Sequence, residues 1–418
     1  MLVQDTRVQG SWSNCRSCGG TLLPFVDLGL SPLCETFLTR DQLDGPETFY
    51  PLEVRVCGSC WLAQLPEYVP PEKIFSEYAY FSSYSQAWLA HARDYVEMAT
   101  SRFGLGPQSF VIEVASNDGY LLRNFVERGI PCLGIEPAAN VAEAARGAGV
   151  ETLVRFFGRA VAGDLAAHGR QADLMIGNNV LAQVPDLNNF IAGLGIVLRP
   201  DGVLSLEFPH LLQLIEQNQF DTIYHEHFSY FSLLAAERAL NAHGLRVFDV
   251  EELWTHGGSL RLYACREEAR WEEQPAVGRL RGVEHRAGLT KEATYASFGA
   301  RVRRTKWGLL DLLIRLKRED ARIVGYGAPG KGNTLLNYCG IRTDFVDFTV
   351  DRNPYKHGRF LPGSRIPVLP PDRPDDARPD YVLILPWNLK KEITHQLAHI
   401  RQWGGRFIVP IPEPRVLE

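Results

Sequence analysis

From Phe110 onward the chain alternates short apolar runs with segments of helical character, and this alternation constrains the fold more than any other feature. Phe110 to Ala115 is a buried strand followed by the turn Ser116-Asn117-Asp118-Gly119 and a helix from Tyr120. Cys132-Leu133-Gly134-Ile135-Glu136 is the next strand, and it ends on a carboxylate before Pro137. Ala172 to Gly177 forms another, ending at Asn178-Asn179. Leu198-Arg199-Pro200-Asp201-Gly202 then turns into a strand over Val203 to Phe208. Such an alternation predicts an α/β sheet.

The first two strands carry chemistry as well as shape. A strand, a small-residue turn, a helix and a second strand ending in an acid make a nucleoside-binding unit. The turn brings backbone close to the ligand, and the acid accepts hydrogens from both ribose hydroxyls. The triple-glycine fingerprint of a dinucleotide site is absent, so S-adenosylmethionine, which has no pyrophosphate, fits better. A flavodoxin-like sheet with another ligand is the alternative.

A second α/β unit begins at Arg322 to Gly327, a strand that runs into Ala328-Pro329-Gly330-Lys331-Gly332-Asn333-Thr334 and a helix. The glycine-rich turn offers a helix N-terminus as a phosphate seat with Lys331 alongside, although its spacing is not that of a P-loop. Further strands lead to the cationic loop Asp351 to Arg359 and to Pro386-Trp387-Asn388, both placed where strand C-termini converge. A non-binding Rossmann-like unit that only stabilises the chain is the alternative. Before it, Thr290 to Arg318 is expected as one long helix with Phe298, Val302, Leu309, Leu313 and Leu316 on one face.

The N-terminal region differs. Cys15-Arg16-Ser17-Cys18 and Cys57-Gly58-Ser59-Cys60 are two C-x-x-C knuckles separated by 38 residues. Four thiolates from two such knuckles close a tetrahedral zinc site with no open position, so the expected metal role is structural. A redox pair is the alternative. Cys34, Cys132, Cys265 and Cys339 are expected as small buried hydrophobes.

In a chain of 418 residues two or three domains are expected, here 1–70, 71–285 and 286–418. A formal charge of −5 gives no reason to expect nucleic-acid binding. No run of about 18 apolar residues suggests a membrane span, and no signal-peptide pattern opens the chain. A cytoplasmic protein acting on a small molecule is expected; its oligomeric state is not legible.

One segment concentrates proton-handling groups. Gln219 to Tyr230, QFDTIYHEHFSY, places Tyr224, His225, Glu226 and His227 side by side among aromatics. Bland readings are a buried, backbone-satisfied cluster or, for His225 and His227, a metal pair. Upstream, Ile74 to Ser85 is dense in aromatics and hydroxyls, suited to a pocket wall or a packing seam. Downstream, Thr255-His256-Gly257-Gly258 reads as a tight turn that brings His256 near a ligand or leaves it solvated in a hairpin.

Taken in order, these motifs resemble one family. The paired C-x-x-C units, EYAYFSSYS, VIEVASNDGYLL, GIEPAANVA, NNVLAQVPD, EFPHLL, QFDTIYHEHFSYFS, THGGSLR and GYGAPGKGNT are similar, in register, to sugar C-methyltransferases that act on nucleotide-linked deoxysugars, including the 3-C-methyltransferase of tetronitrose biosynthesis. The resemblance spans essentially the whole chain. It implies a zinc-binding N-terminal module, a central class I methyltransferase domain that binds S-adenosylmethionine, and a C-terminal Rossmann-like domain. It also implies a dTDP-sugar substrate in a cleft among them.

Carried over by motif, Tyr224, Glu226 and His227 are the catalytic Tyr-x-Glu-His, with Tyr78 as the active-site tyrosine and Tyr80 the other alignment. Glu136 is implied to hold the cofactor ribose, with Asn117, Asp118 and Gly119 beneath the methionine part. Glu113, Phe157 and Asn178 complete the cofactor candidates. His256, Lys331, Asn333, Lys356 and Arg359 are the substrate-side candidates. The chain departs from the family at Gln183, where relatives carry histidine. Glutamine hydrogen-bonds but moves no proton near neutral pH, so a second acid–base step falls to His225 or Tyr224, or the substrate does not need it.

Overall fold

The structure, a computed structural model, describes residues 14–76, 81–84 and 86–417. Tyr78 and Tyr80 lie outside the described residues. Strands are β1 (Leu22–Ser31), β2 (Tyr50–Cys57), β3 (Ala63–Gln64), β4 (Val111–Val114), β5 (Cys132–Ile135), β6 (Thr152–Leu153), β7 (Ala172–Asn178), β8 (Leu198–Pro209) and β9 (Ser229–Tyr230). They continue with β10 (Leu245–Leu253), β11 (Ser259–Arg266), β12 (Ile323–Tyr326), β13 (Thr349–Val350), β14 (Val368–Leu369), β15 (Tyr381–Ile384), β16 (Arg406–Val409) and β17 (Arg415–Leu417).

The central sheet has the order β10-β11-β8-β7-β4-β5-β6. Strands β4 to β8 pair in parallel, and β11 runs antiparallel to both neighbours. This is the class I methyltransferase sheet expected from the sequence. Every residue of β4 and β5 is buried, as befits strands covered by helices on both faces. The C-terminal sheet, β14-β13-β12-β15-β16-β17, is parallel except for β17 and has the Rossmann-like order. In each sheet the chain switches direction beside its first strand, at β4/β7 and at β12/β15. Ligand crevices open at such points.

The smallest sheet, β1-β2-β3-β9, is antiparallel and carries the cysteine knuckles at its edge. Its fourth strand belongs to the QFDTIYHEHFSY segment, far away in sequence. The loop between β1 and β2 reaches the opposite way, onto the C-terminal unit. Leu38 and Phe360 exchange backbone hydrogen bonds at 3.0 and 2.9 Å, and Glu47 pairs with Arg365 at 3.2 Å. The cysteine module thus clasps both neighbours. Residues from it (Phe25, Val54), from the QFDTIYHEHFSY segment (Phe220, Ile223) and from the C-terminal sheet (Ile323, Leu383) share one core.

The single helix expected over 290–318 is two, Glu292–Ala296 and Phe298–Arg318. The break lets Tyr295 and Phe298 both pack on Phe25, with ring centroids 5.2 and 5.1 Å away. The apolar face is as expected: Phe298, Val302, Leu309, Leu313 and Leu316 are all buried. Among the described residues no helix is long and apolar enough to cross a membrane.

Candidate active site

Both switch points open into one cleft of about 700 Å³. Its walls come from β4 and β7 (Asn117, Asn178), from the QFDTIYHEHFSY segment (Tyr224, His227) and from the C-terminal sheet (Lys331, Asn388).

The segment that carries the proton-handling residues has almost no regular structure of its own, so other elements must hold it. Phe228 N–H donates to the Ala182 carbonyl at 2.7 Å, beside Gln183, and its carbonyl accepts from Leu65 N–H at 3.0 Å, next to β3. Thr334 Oγ1, on the C-terminal helix Gly330–Cys339, donates to the Ile223 carbonyl at 2.9 Å. Trp387 Nε1 donates to Asp221 Oδ2 at 2.7 Å. All three units fix this loop. Phe220 and Ile223 are fully buried beneath it.

His227 Nδ1 lies 3.1 Å from the Thr222 carbonyl. A carbonyl only accepts, so Nδ1 carries the hydrogen and Nε2 is left with a lone pair. The imidazole is therefore oriented, at Nδ1, by backbone rather than by the neighbouring Glu226. Burial, together with the charges of His256 and Lys331, lowers the His227 pKa to about 3 rather than leaving it near neutrality. The ring is neutral in the ordinary working range. Tyr224 packs against it at a tilt of 34° with ring centroids 4.1 Å apart, and burial pushes its phenol far up, so it stays a donor.

His225 faces away: its Nε2 lies 3.1 Å from the Pro51 carbonyl, and its ring packs edge-on against Tyr50 and Tyr68. It is outside the cleft and does not share a ligand position with His227. Gln183 and His256 do line the cleft. His256 sits in the left-handed region (φ 55°), with Trp88 edge-on at 5.5 Å. A Cβ on Gly257 would meet the Trp387 ring at 2.8 Å, so this turn demands glycine.

These buried rings have a consequence for stability. His227 is held to about 3 and His256 to about 4, and burial also depresses His225. Unfolded, each titrates near 6.5. Their contribution is complete above that pH and is lost as pH falls through the folded values. Asp221, raised by burial to about 6, works in the opposite sense, losing its contribution as pH rises from its ordinary value to about 6. Glu113, Glu136 and Glu35, also raised by burial, act in the same sense as Asp221, so the imidazoles and the carboxyls offset one another between pH 5 and pH 7.

On the cofactor side, Glu136 accepts from Asn117 N–H and Ala138 N–H, each at 2.9 Å. Both oxygens are thereby aimed while keeping lone pairs for a diol. Ala115, Asn117 and Gly119 all have positive φ, which forms the tight turn. A Cβ on Gly119 would sit 3.0 Å from Val150 and 3.3 Å from Ala145. Asn117 Oδ1 and Asp118 Oδ2 accept from Ser82 and Ser83 N–H at 2.9 and 3.1 Å, closing the aromatic connector over the turn. Phe157 and Asn178 line the cleft, and Asn178 Oδ1 is buried without a partner. Asp118, Gly119 and Glu113 lie behind this wall; Glu113 is buried, and desolvation, with Glu136 beside it, pushes its carboxyl well above the usual carboxylate range. The pocket fits S-adenosylmethionine. Replacing Glu136 by glutamine should weaken S-adenosylhomocysteine binding by about 10–100-fold in calorimetry, since a hydrogen bond to a charged group is lost.

The four knuckle cysteines bring their sulfurs within 4.8 Å of one another, with Cys15–Cys60 and Cys18–Cys57 at 3.5 Å. Bonds of about 2.3 Å to one tetrahedral ion need nearly this spacing. Backbone amides of Ser17 and Ser59, and Gln64 Nε2, point at the sulfurs from 3.2 to 3.4 Å, which suits thiolates. The set is a closed structural zinc site.

The C-terminal wall departs most from expectation. Lys331 is half-buried in the cleft, 3.1 Å from Asn388 Oδ1 and over the Trp387 ring at 4.9 Å. Lys356 also lines it but is occupied internally: it pairs with Glu35 at 3.2 Å and donates to the Ala328 carbonyl at 2.8 Å. Arg359 is exposed and off the cleft, and Asn333 is behind it, donating to the Cys34 carbonyl at 2.6 Å. The expected phosphate seat at Gly330 holds the Glu35 carboxylate instead. Cys34, expected as an inert core residue, lines the cleft with its thiol 3.5 Å from Glu226 Oε1. Asp221, Cys34 and Glu35 were not legible as site residues; a carboxylate directly after a lone cysteine in SPLCETF was the only signal.

Comparison with known proteins agrees with this architecture. Residues 15–75 match the family "Putative zinc binding domain", 88–250 match "Methyltransferase domain" and 254–412 match "C-methyltransferase C-terminal domain". C-methyltransferase NovU of Streptomyces niveus is 38% identical over 404 residues, covering 96% of each chain. Two solved structures overlap weakly. Magnesium protoporphyrin IX methyltransferase of Synechocystis PCC 6803 with bound SAM has 15% identity, 43% coverage of this chain and 81% of its own, and a TM-score of 0.32. An S-adenosylmethionine-dependent methyltransferase of Clostridium acetobutylicum has 11% identity, 42% and 90% coverage, and a TM-score of 0.33. The near full-length match to NovU, joined to the zinc knuckles and the central sheet, shows that this chain belongs to the C-methyltransferase family and is an S-adenosylmethionine-dependent enzyme.

Proposed function

We propose that the enzyme methylates the carbon alpha to the ketone, C3, of a nucleotide-linked 4-keto deoxysugar. The observation that carries this reading is the close pair of a neutral imidazole and a protonated phenol, ring centroids 4.1 Å apart, in the same cleft as the cofactor turn. Methylating carbon, unlike oxygen, needs a C–H proton removed, and the pair offers both a base and an enolate stabiliser.

His227 Nε2 takes the proton from C3, with Nδ1–H anchored on Thr222. A ring held near 3 is a weak base in the empty site. As the proton arrives, an enolate forms beside the new imidazolium, and in a dry site their attraction offsets the desolvation. Tyr224 donates to the enolate oxygen, an interaction realised mainly in the transition state. Bound S-adenosylmethionine supplies an electrophilic methyl group to the carbon. Lys331, whose charge reaches both His227 and His256, faces the anionic parts of the substrate. With Lys356 tied to Glu35, the other cleft-lining cations for a diphosphate are Arg155 and Arg352. His256 and Gln183 supply hydrogen bonds to sugar oxygens.

The test is a methyl-transfer screen over dTDP-linked 4-keto deoxysugars, read by product mass and carbon NMR. A new carbon–carbon bond at C3 is expected. A methyl group on oxygen, or turnover only with a non-sugar substrate, would replace this reading.

A further inference from the structure

Glu35 lies outside every motif used above, yet it occupies a position normally reserved for a ligand. Gly330, the first residue of the helix Gly330–Cys339, lies directly beside its carboxylate. Lys356 Nζ neutralises it from 3.2 Å, itself packed over the Phe37 ring at 4.7 Å. The approach is close enough that a Cβ on Gly330 would stand 2.9 Å from Cys34 Sγ and 3.5 Å from Glu35 Oε1. One residue earlier, the Cys34 carbonyl is held by Asn333 Nδ2 and its thiol faces Glu226 Oε1. A helix N-terminus with a buried lysine is an anion site, and here the chain supplies its own anion.

We propose that Glu35 is a positioning residue: as an intramolecular anion in the helix terminus it sets the Cys34 thiol against Glu226, so that the zinc module shapes the catalytic wall. Glu35 need not touch substrate. It fixes the strap Pro32–Phe37, and the strap presents the thiol hydrogen to a carboxylate oxygen that would otherwise turn toward another donor. The helix terminus is thereby unavailable to a substrate phosphate.

The test pairs turnover with a readout that needs no substrate, so that an error in the proposed substrate cannot be mistaken for an error here. In the zinc-loaded enzyme Cys34, 2% exposed, is shielded from iodoacetamide. Glu35→Ala should expose it, raising its labelling, read by peptide mass mapping, by at least about tenfold, and should lower kcat similarly, because the buried Lys356 loses its partner. S-adenosylhomocysteine affinity and zinc content should stay unchanged. Acetate, able to enter the vacated anion position, should restore both protection and turnover, and Glu35→Asp should stay within a few-fold of the parent. Should the alanine variant not fold, Glu35→Gln keeps the volume without the charge and should show the same losses with no acetate response. Cys34 still protected and kcat unaltered in either variant overturns the proposal. So does a loss of activity that acetate and aspartate both fail to recover, which would mark Glu35 as packing only.

Discussion

His227→Asn abolishes methyl transfer while leaving S-adenosylhomocysteine binding intact. Asparagine keeps a side-chain donor close to the Thr222 carbonyl but has no lone pair able to take a carbon-bound proton. Loss of a general base costs about 10²–10⁴-fold: His225 faces Pro51, position 183 is glutamine, and His256, the other imidazole of the cleft, is assigned to the sugar oxygens. Two measurements separate this from a folding defect, calorimetry with S-adenosylhomocysteine and solvent-deuterium exchange at the substrate carbon with that inhibitor bound. Exchange should vanish with turnover. With the folded ring held near 3, kcat/KM should also show no acid limb at the usual histidine pKa between pH 7.5 and 5.5. Near-parental turnover in the variant would remove His227 from its role.

Zinc removal should be as damaging as losing the base, although no cysteine of the zinc site lines the cleft. The metal ties the knuckle before β1 to the knuckle between β2 and β3, and β3 pairs with β9, which begins two residues beyond His227. Leu65 N–H, one residue past β3, secures the Phe228 carbonyl. Without the ion four converging thiols lose their reason to meet, and structural zinc sites commonly supply a large part of a small module's folding free energy. Cys57→Ser, or chelation followed by gel filtration, should reduce turnover by about 10²-fold or more. Activity retained at zinc contents below a tenth of an equivalent would contradict the coupling.

Much of this was readable beforehand because the informative signals are local. The run Val111–Val114, the turn with its positive-φ Asn117 and Gly119, and Glu136 at the end of β5 are near neighbours in sequence, and strand-turn-helix chemistry dictates their arrangement. The knuckle spacing likewise declares its metal. What the sequence hid depends on contacts between distant segments. Lys356 looked like a substrate cation because its partner, Glu35, is 321 positions earlier. By residue chemistry His225 and His227 looked alike, with the family motif alone favouring His227; the carbonyls of Pro51 and Thr222 give the physical distinction. Cys34 looked inert because burial is the common fate of a lone cysteine. The break at Ser297 escaped notice because the helical period continues through it, while Tyr295 and Phe298 both answer to Phe25.

The pairing of β3 with β9 also orders events in time. Gln64 leaves the ribosome roughly 165 residues ahead of its partner Ser229, about 10–30 s at ordinary elongation rates. Throughout that interval the nascent zinc hairpin presents β3 as an unpaired edge, open to pairing with other chains. Early capture of the ion and prompt synthesis of the following sheet thus bear on yield, and slowing translation between Gln64 and Ser229 should favour aggregated over soluble enzyme.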